Sequence, residues 1–156
     1  TVEPLLEVLG PEPFDDWNAK IAAAKCRGKR SPIKTTLLDQ RFVVGVGNIY
    51  ACEALHNAGI SPTKLAAKLV TKSGKPTKAL EKLVDEVKIV LKKAIAAGGS
   101  TLNDFADVDG NLGYFSHHFT IYGREDQPCL KVGCSGTVER IVQSNRSTFW
   151  CPRCQK

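Results

Sequence analysis

The sequence predicts a mainly α body followed by a small β-hairpin module held by a metal. Three observations carry that expectation. Apolar residues recur at helical spacing up to about residue 121, most clearly over Thr77 to Ala97. Four of the six cysteines crowd, as two pairs, into the last 28 of 156 residues. Between the pairs, two runs suited to strands flank Ser144-Asn145, a turn signal.

The elements follow in order. Asp15 to Ala24 carries Trp17, Ile21 and Ala24 at helical spacing, with Asp15 or Asp16 able to cap its start, and Gly28 breaks the pattern. Ile33 to Leu38 reads as a short helix, and Phe42-Val43-Val44 is apolar. Gly45-Val46-Gly47-Asn48 is a tight turn before a helix over Ile49 to Ala58, closed by Gly59. Ser61-Pro62 opens another short helix through Leu69, and Ser73 to Pro76 is a loop. Thr77 to Ala97 is the longest helix; Leu80, Leu83, Val84, Val87, Val90, Leu91 and Ile95 form its apolar stripe, and Gly98-Gly99 ends it. Ser100 to Gly113 is a polar loop with at most a helical turn near Leu102, and Phe119 to Tyr122 is extended. Thr137 to Val142 and Thr148 to Trp150 form a hairpin. This divides the chain into a helical domain, 1–121, and a metal module, 122–156.

The net charge of +6 and pI near 9.1 favour an anionic partner, with nucleic acid the usual candidate, against a merely basic protein. Six of these cations, Lys20, Lys25, Arg27, Lys29, Arg30 and Lys34, lie between Ala19 and Lys34 with no acid among them. They make either a solvated face or a phosphate-facing one. Nothing resembles a membrane span or a secretory leader. Cysteines clustered in pairs suit a metal site in a reducing cytosol, so a cytoplasmic location is expected. The chain has no Met, even at its start, which points to a processed or truncated polypeptide or to simple Met removal.

Cys129, Cys134, Cys151 and Cys154 follow C-x4-C-x16-C-x2-C. Two knuckles joined by a hairpin bring four thiolates to one Zn²⁺ and leave no open position, so the metal is structural; a rubredoxin-like iron centre is the rival. So small a module buries little apolar surface, and metal binding must supply much of its folding free energy. Gly133 and Pro152 suit the knuckle turns. Arg146, near the hairpin tip, is either a solvated turn arginine or a guanidinium aimed at phosphate. The turn ending in Asn48 matches neither common glycine-rich phosphate loop. Yet N–H groups at a helix start plus the Asn48 amide can hold one phosphate; the other reading is that Asn48 caps its own helix.

Taken together, V-V-G-V-G-N-I-Y-A-C-E-A-L with A-G-I-S-P, D-G-N-L-G-Y-F, Y-G-R-E and R-S-T-F-W-C-P-R-C-Q-K resemble the helix–two-turn–helix and zinc finger of bacterial formamidopyrimidine-DNA glycosylase. The resemblance covers nearly the whole chain, with motifs in the family's order. It implies a bifunctional DNA glycosylase and AP lyase that removes oxidised purines such as 8-oxoguanine and formamidopyrimidines from damaged duplex DNA, extruding the target nucleotide. It implies phosphate binding beside the lesion by Asn48 and its helix start, and DNA contacts at Lys29 and Lys34. Arg146 becomes both a phosphate ligand and a participant in δ-elimination. Asp109 to Phe115 resemble the lid over the flipped base. A single structural zinc and a monomer are expected.

Two departures stand out. The first knuckle is C-x4-C where C-x2-C is commoner, a spacing that zinc tolerates. The family's N-terminal proline nucleophile, neighbouring glutamate and catalytic lysine have no counterpart here. The expectation is therefore the C-terminal half of the enzyme, binding DNA but inactive alone, its catalytic domain lost by cloning, proteolysis or gene splitting. A lysine could replace the proline only with a depressed pKa, for which the sequence gives no context. Of the remaining residues, His117 and His118 read as structural, His56 as surface or interhelical packing, and Glu53 as helix surface or cap rather than acid catalyst. Cys26 and Cys52 read as packed small residues, and Trp17 and Trp150 as core. Two alternatives stay open: a non-catalytic RNA- or DNA-binding module, and the matching part of an endonuclease VIII-like pyrimidine-lesion glycosylase.

Overall fold

The structure is a computed structural model that describes residues 9–97 and 119–156. The expected helix stop at Gly98-Gly99, the loop with its lid, and His117-His118 lie outside the described residues.

Helix α1 spans Ala19–Cys26, later than the spacing predicts, because Asn18 and not an aspartate caps it by accepting from Ile21 N–H at 2.8 Å. Trp17 thus precedes the helix and packs edge-on against Phe42 at 5.8 Å. The buried face is Ala22, Ala23 and Cys26, while Ala24 is exposed. Helix α2 spans Ile33–Leu38, and α3 spans Asn48–Ala58 and ends at Gly59 with φ +74°, where a side chain would be strained. Ser61 to Leu69 is not one helix. Ser61 Oγ caps a local turn at Thr63, Leu65 bridges to Pro32, and only Ala66–Leu69 forms a 3₁₀ turn.

Helix α4, Lys78–Ala96, is capped by Thr77 and buries the expected stripe with one change: Ala94 faces inward and Ile95 is exposed. Its chief partner is α3. Strands β1, Glu139–Gln143, and β2, Arg146–Trp150, pair antiparallel with Gln143 opposite Arg146. Ser144 and Asn145 both hold positive φ, +50° and +65°, as a two-residue turn between twisted strands requires. Phe119 to Tyr122 is not a strand; its N–H groups are claimed by a side chain of α3, described below.

Two apolar clusters form among the described residues. The larger joins α1, α2, α3 and α4 around residues such as Ile33, Leu55, Leu80 and Val87. The smaller, Cys52, Ile121, Cys129, Val138, Phe149 and Cys151, sits between α3 and the hairpin. Helix α3 contributes to both, so its two ends are fixed relative to both modules. Gln155 reinforces the join, accepting from Cys151 N–H at 2.8 Å and donating to the Ile60 carbonyl at 2.9 Å. No helix among the described residues is long and apolar enough to cross a membrane.

Candidate metal centre and nucleic-acid interface

The four cysteines of the two knuckles meet: their sulfurs all lie within 4.8 Å of one another. Cys129 and Cys154 are 3.8 Å apart, and Cys134 and Cys151 3.7 Å. A Zn²⁺ bound tetrahedrally at about 2.3 Å per sulfur requires sulfur–sulfur separations of about 3.8 Å. The donor set and its geometry therefore fit one closed, structural zinc. Burial raises the Cys129 and Cys154 thiols above the usual range, so a cation is needed to hold them as thiolates. Gly133 takes φ +82° in the first knuckle. Gly136 leaves no room for a side chain, since a Cβ there would stand 2.5 Å from Cys151 Sγ.

Two residues near the metal depart from expectation. His56 is not at the surface: it is 2% exposed, with Nε2 3.3 Å from Cys129 Sγ and Nδ1 3.1 Å from Thr120 Oγ1. Burial, with Lys131 and Arg124 nearby, pushes its pKa down to about 4. Glu53 is buried rather than on the helix surface. Its carboxylate accepts from the Thr120, Ile121 and Tyr122 N–H groups at 2.7, 2.8 and 2.9 Å, and from Thr120 Oγ1 at 3.0 Å. It staples α3 to the segment entering the finger, leaving no lone pair facing a substrate. Cys26 and Cys52 are packed thiols as expected; burial pushes Cys26 up to about 11. Trp17 is core, and Trp150 is half-buried on β2.

Asn48, Lys34 and Arg146 converge where α2, α3 and β2 meet. Lys34 is 1% exposed, and its ammonium donates to Asn48 Oδ1 and Thr148 Oγ1, each at 2.6 Å, with the Ser147 carbonyl at 3.4 Å. Burial first, and then Arg146, lower its pKa. A lysine with a depressed pKa is thus present after all, but the burial that lowers it also encloses it. Asn48 does not cap its own helix. The cap position belongs to Gly47, which offers no side chain, and Asn48 Nδ2 instead donates to the Ser147 carbonyl at 2.9 Å.

That pair of bonds fixes the amide. With Oδ1 turned to the ammonium, Nδ2 holds two N–H groups, of which Ser147 takes one. The second has no partner among the described residues. Arg146, next to Ser147, is exposed and lines a cleft of about 270 Å³ with Lys34, Thr35, Asp39, Gln143 and Ser144. Asp39 is held below the usual carboxylate range by Arg41, with Lys29 contributing. Lys29 lies on the loop between α1 and α2 and makes no side-chain bond to the Asn48 group among the described residues.

Comparison with known proteins matches two stretches of the chain. Residues 9–106 match the formamidopyrimidine-DNA glycosylase H2TH domain, and residues 126–156 match the zinc finger found in FPG and IleRS. Formamidopyrimidine-DNA glycosylase of Rhodopseudomonas palustris (strain BisB18) is 52% identical over 155 residues, covering 99% of this chain and 53% of the relative. That of Sinorhizobium fredii is 54% identical over 149 residues, covering 95% and 50%. Among solved structures, MutM in complex with carbocyclic 8-oxo-G containing DNA superimposes with TM-score 0.78 at 32% identity, over 99% of this chain and 54% of that one. Lactococcus lactis Fpg in complex with abasic-site DNA gives 0.78 at 30% identity, over 99% and 53%. The chain spans about half the length of the curated relatives it matches, and it belongs to the formamidopyrimidine-DNA glycosylase family.

Proposed function

We propose that this chain is the part of an oxidised-purine DNA glycosylase and AP lyase that grips the damaged duplex. One observation carries the reading: Lys34 and Ser147 orient the half-buried Asn48 amide at a helix start, with one N–H left without a partner among the described residues, and Ser147 is followed back along the strand by exposed Arg146. A backbone phosphate next to the lesion suits that arrangement, since it accepts from both donors and from the N-terminal helix N–H groups. Lys34 acts from behind, as a buried post under Asn48 and β2 rather than a direct phosphate contact. Lys29 extends the basic surface toward flanking phosphates. Arg146, exposed on the cleft where Lys34 is buried, would be the cation that acts in δ-elimination in the whole enzyme.

The parent activity is base excision of 8-oxoguanine and formamidopyrimidines followed by strand cleavage. That activity is proposed from the relatives, whose solved structures hold 8-oxo-G, Fapy-dG and abasic-site DNA. The 156-residue polypeptide alone is expected to bind and not to excise, because Schiff-base chemistry needs an accessible unprotonated amine and Lys34 is enclosed. The zinc-loaded chain should bind duplex DNA bearing an abasic-site analogue in preference to structured RNA, and borohydride should trap no covalent adduct on 8-oxoguanine DNA. Preference for RNA would refute the DNA reading; a trapped adduct would refute the inactivity of the chain alone.

A further inference from the structure

The imidazole of His56 touches two groups, and the proton inventory of the three decides its role. Nε2 stands 3.3 Å from Cys129 Sγ, and Nδ1 stands 3.1 Å from Thr120 Oγ1, in a ring that is 2% exposed. A zinc-bound cysteine is a thiolate: it accepts and has no proton to give. The Thr120 hydroxyl can either donate or accept. A neutral ring carrying its proton on Nδ1 would aim a bare Nε2 lone pair at an anionic sulfur. The other neutral tautomer and the cationic ring both present Nε2–H to it. In the neutral case the Thr120 hydroxyl gives up its 3.0 Å bond to Glu53 and turns its one proton to Nδ1, and Glu53 still accepts from the backbone N–H groups of Thr120, Ile121 and Tyr122; in the cationic case Nδ1–H donates to the hydroxyl, which stays on Glu53.

We propose that His56 is an outer-sphere partner of the metal centre, its Nε2–H donating to the zinc-bound Cys129 thiolate and tying the last turn of α3 to the metal. A second contact comes from the same knuckle: Lys131 Nζ donates to the His56 carbonyl at 3.0 Å, at the negative end of the α3 dipole. Lys131 is one of the four residues between Cys129 and Cys134, so the longer C-x4-C knuckle supplies this cap. The hydrogen bond draws charge from Cys129 sulfur, making it a poorer nucleophile toward alkylating agents and a thiolate more easily kept at neutral pH. Helix α3 is thereby held at its C-terminal end by the zinc and carries Asn48 at its other end. The inference does not depend on what binds Asn48.

The test uses the zinc-loaded 156-residue chain. In competition with a chromogenic chelator, His56→Phe, which keeps an aromatic ring and removes the donor, should weaken zinc binding roughly 10-fold or more, as loss of outer-shell partners does. Its zinc should also be released faster by iodoacetamide. Unchanged affinity and release rate would overturn the proposal. Because phenylalanine could disturb packing, the unsubstituted chain decides the matter independently. Loaded with ¹¹³Cd and ¹⁵N-labelled at histidine, it should show a protonated Nε2 at His56, with a scalar coupling between that proton and the metal. A ring protonated on Nδ1 alone would overturn the proposal.

Discussion

An asparagine amide has no fixed direction until a neighbour supplies one, and here an ammonium does so by donating to Oδ1. Lys34 therefore matters through Asn48. Replacing Lys34 with Met should strand Asn48 Oδ1 and the fully buried Thr148 hydroxyl. The expected cost is about 1–3 kcal/mol of stability, read by urea denaturation, with affinity for abasic-site DNA falling in parallel. Stability unchanged with affinity lost would mean instead that Lys34 itself meets the DNA. Asn48 and Arg146 stand out in the sequence because each ends a turn whose geometry the sequence spells out, Gly45 to Asn48 and Ser144-Asn145, and the structure brings both to the junction of α2, α3 and β2. The burial of Lys34 was not legible, since a lysine at the end of a basic run looks solvated until Thr148, more than a hundred residues away, is seen to accept from it. Glu53 and His56 were misread for a related reason. Both lie on a helix whose neighbours Ala51, Cys52, Ala54 and Leu55 are all buried, which was a signal that α3 is enclosed on most sides.

At the scale of elements, α3 is joined to the finger by side chains rather than by strands. Glu53→Gln must put an NH₂ in place of a carboxylate oxygen, and either oxygen accepts from at least one of the three backbone N–H groups. The expected loss is about 1–3 kcal/mol, seen as a Tm lower by about 2–4 °C per kcal/mol, and an unchanged Tm would remove the staple. Zinc removal has a graded consequence. Chelation should unfold the hairpin and uncover Cys52, since four of the six residues in its cluster belong to the finger, while Cys26 stays in the helical core. In the zinc-loaded chain Cys26 and Cys52 should resist thiol reagents at neutral pH. After chelation five of the six cysteines should react, leaving Cys26, whose burial keeps it protonated. Equal reactivity of Cys26 and Cys52 after chelation would contradict this division. The hairpin and α4 were legible because local signals agree with tertiary ones: a two-residue turn, and a long stripe of period 3.6. The start of α1 and the Ser61 to Leu69 segment were less so. There a cap and a bridge to Pro32 outcompete weak helical spacing.

At the scale of the molecule, the proposed grip draws one cation from each module, Lys34 and Arg146, which line the same cleft. Affinity for duplex DNA should fall with rising salt as counterions are released, and Arg146→Ala should lower the slope of log affinity against log salt by about one. A slope unaltered in that variant would mean Arg146 touches no phosphate. The central claim is that zinc-held β2 and the start of α3 hold one phosphate together, and a double-mutant cycle tests it most directly. Affinity for duplex DNA with an abasic-site analogue would be measured for the chain, Asn48→Ala, Arg146→Ala and the pair. Each single change is expected to weaken binding roughly tenfold or more, and the double change to cost less than their sum by about 0.5–3 kcal/mol, because the two donors share an acceptor. Strictly additive losses, or no loss from either change, would contradict it.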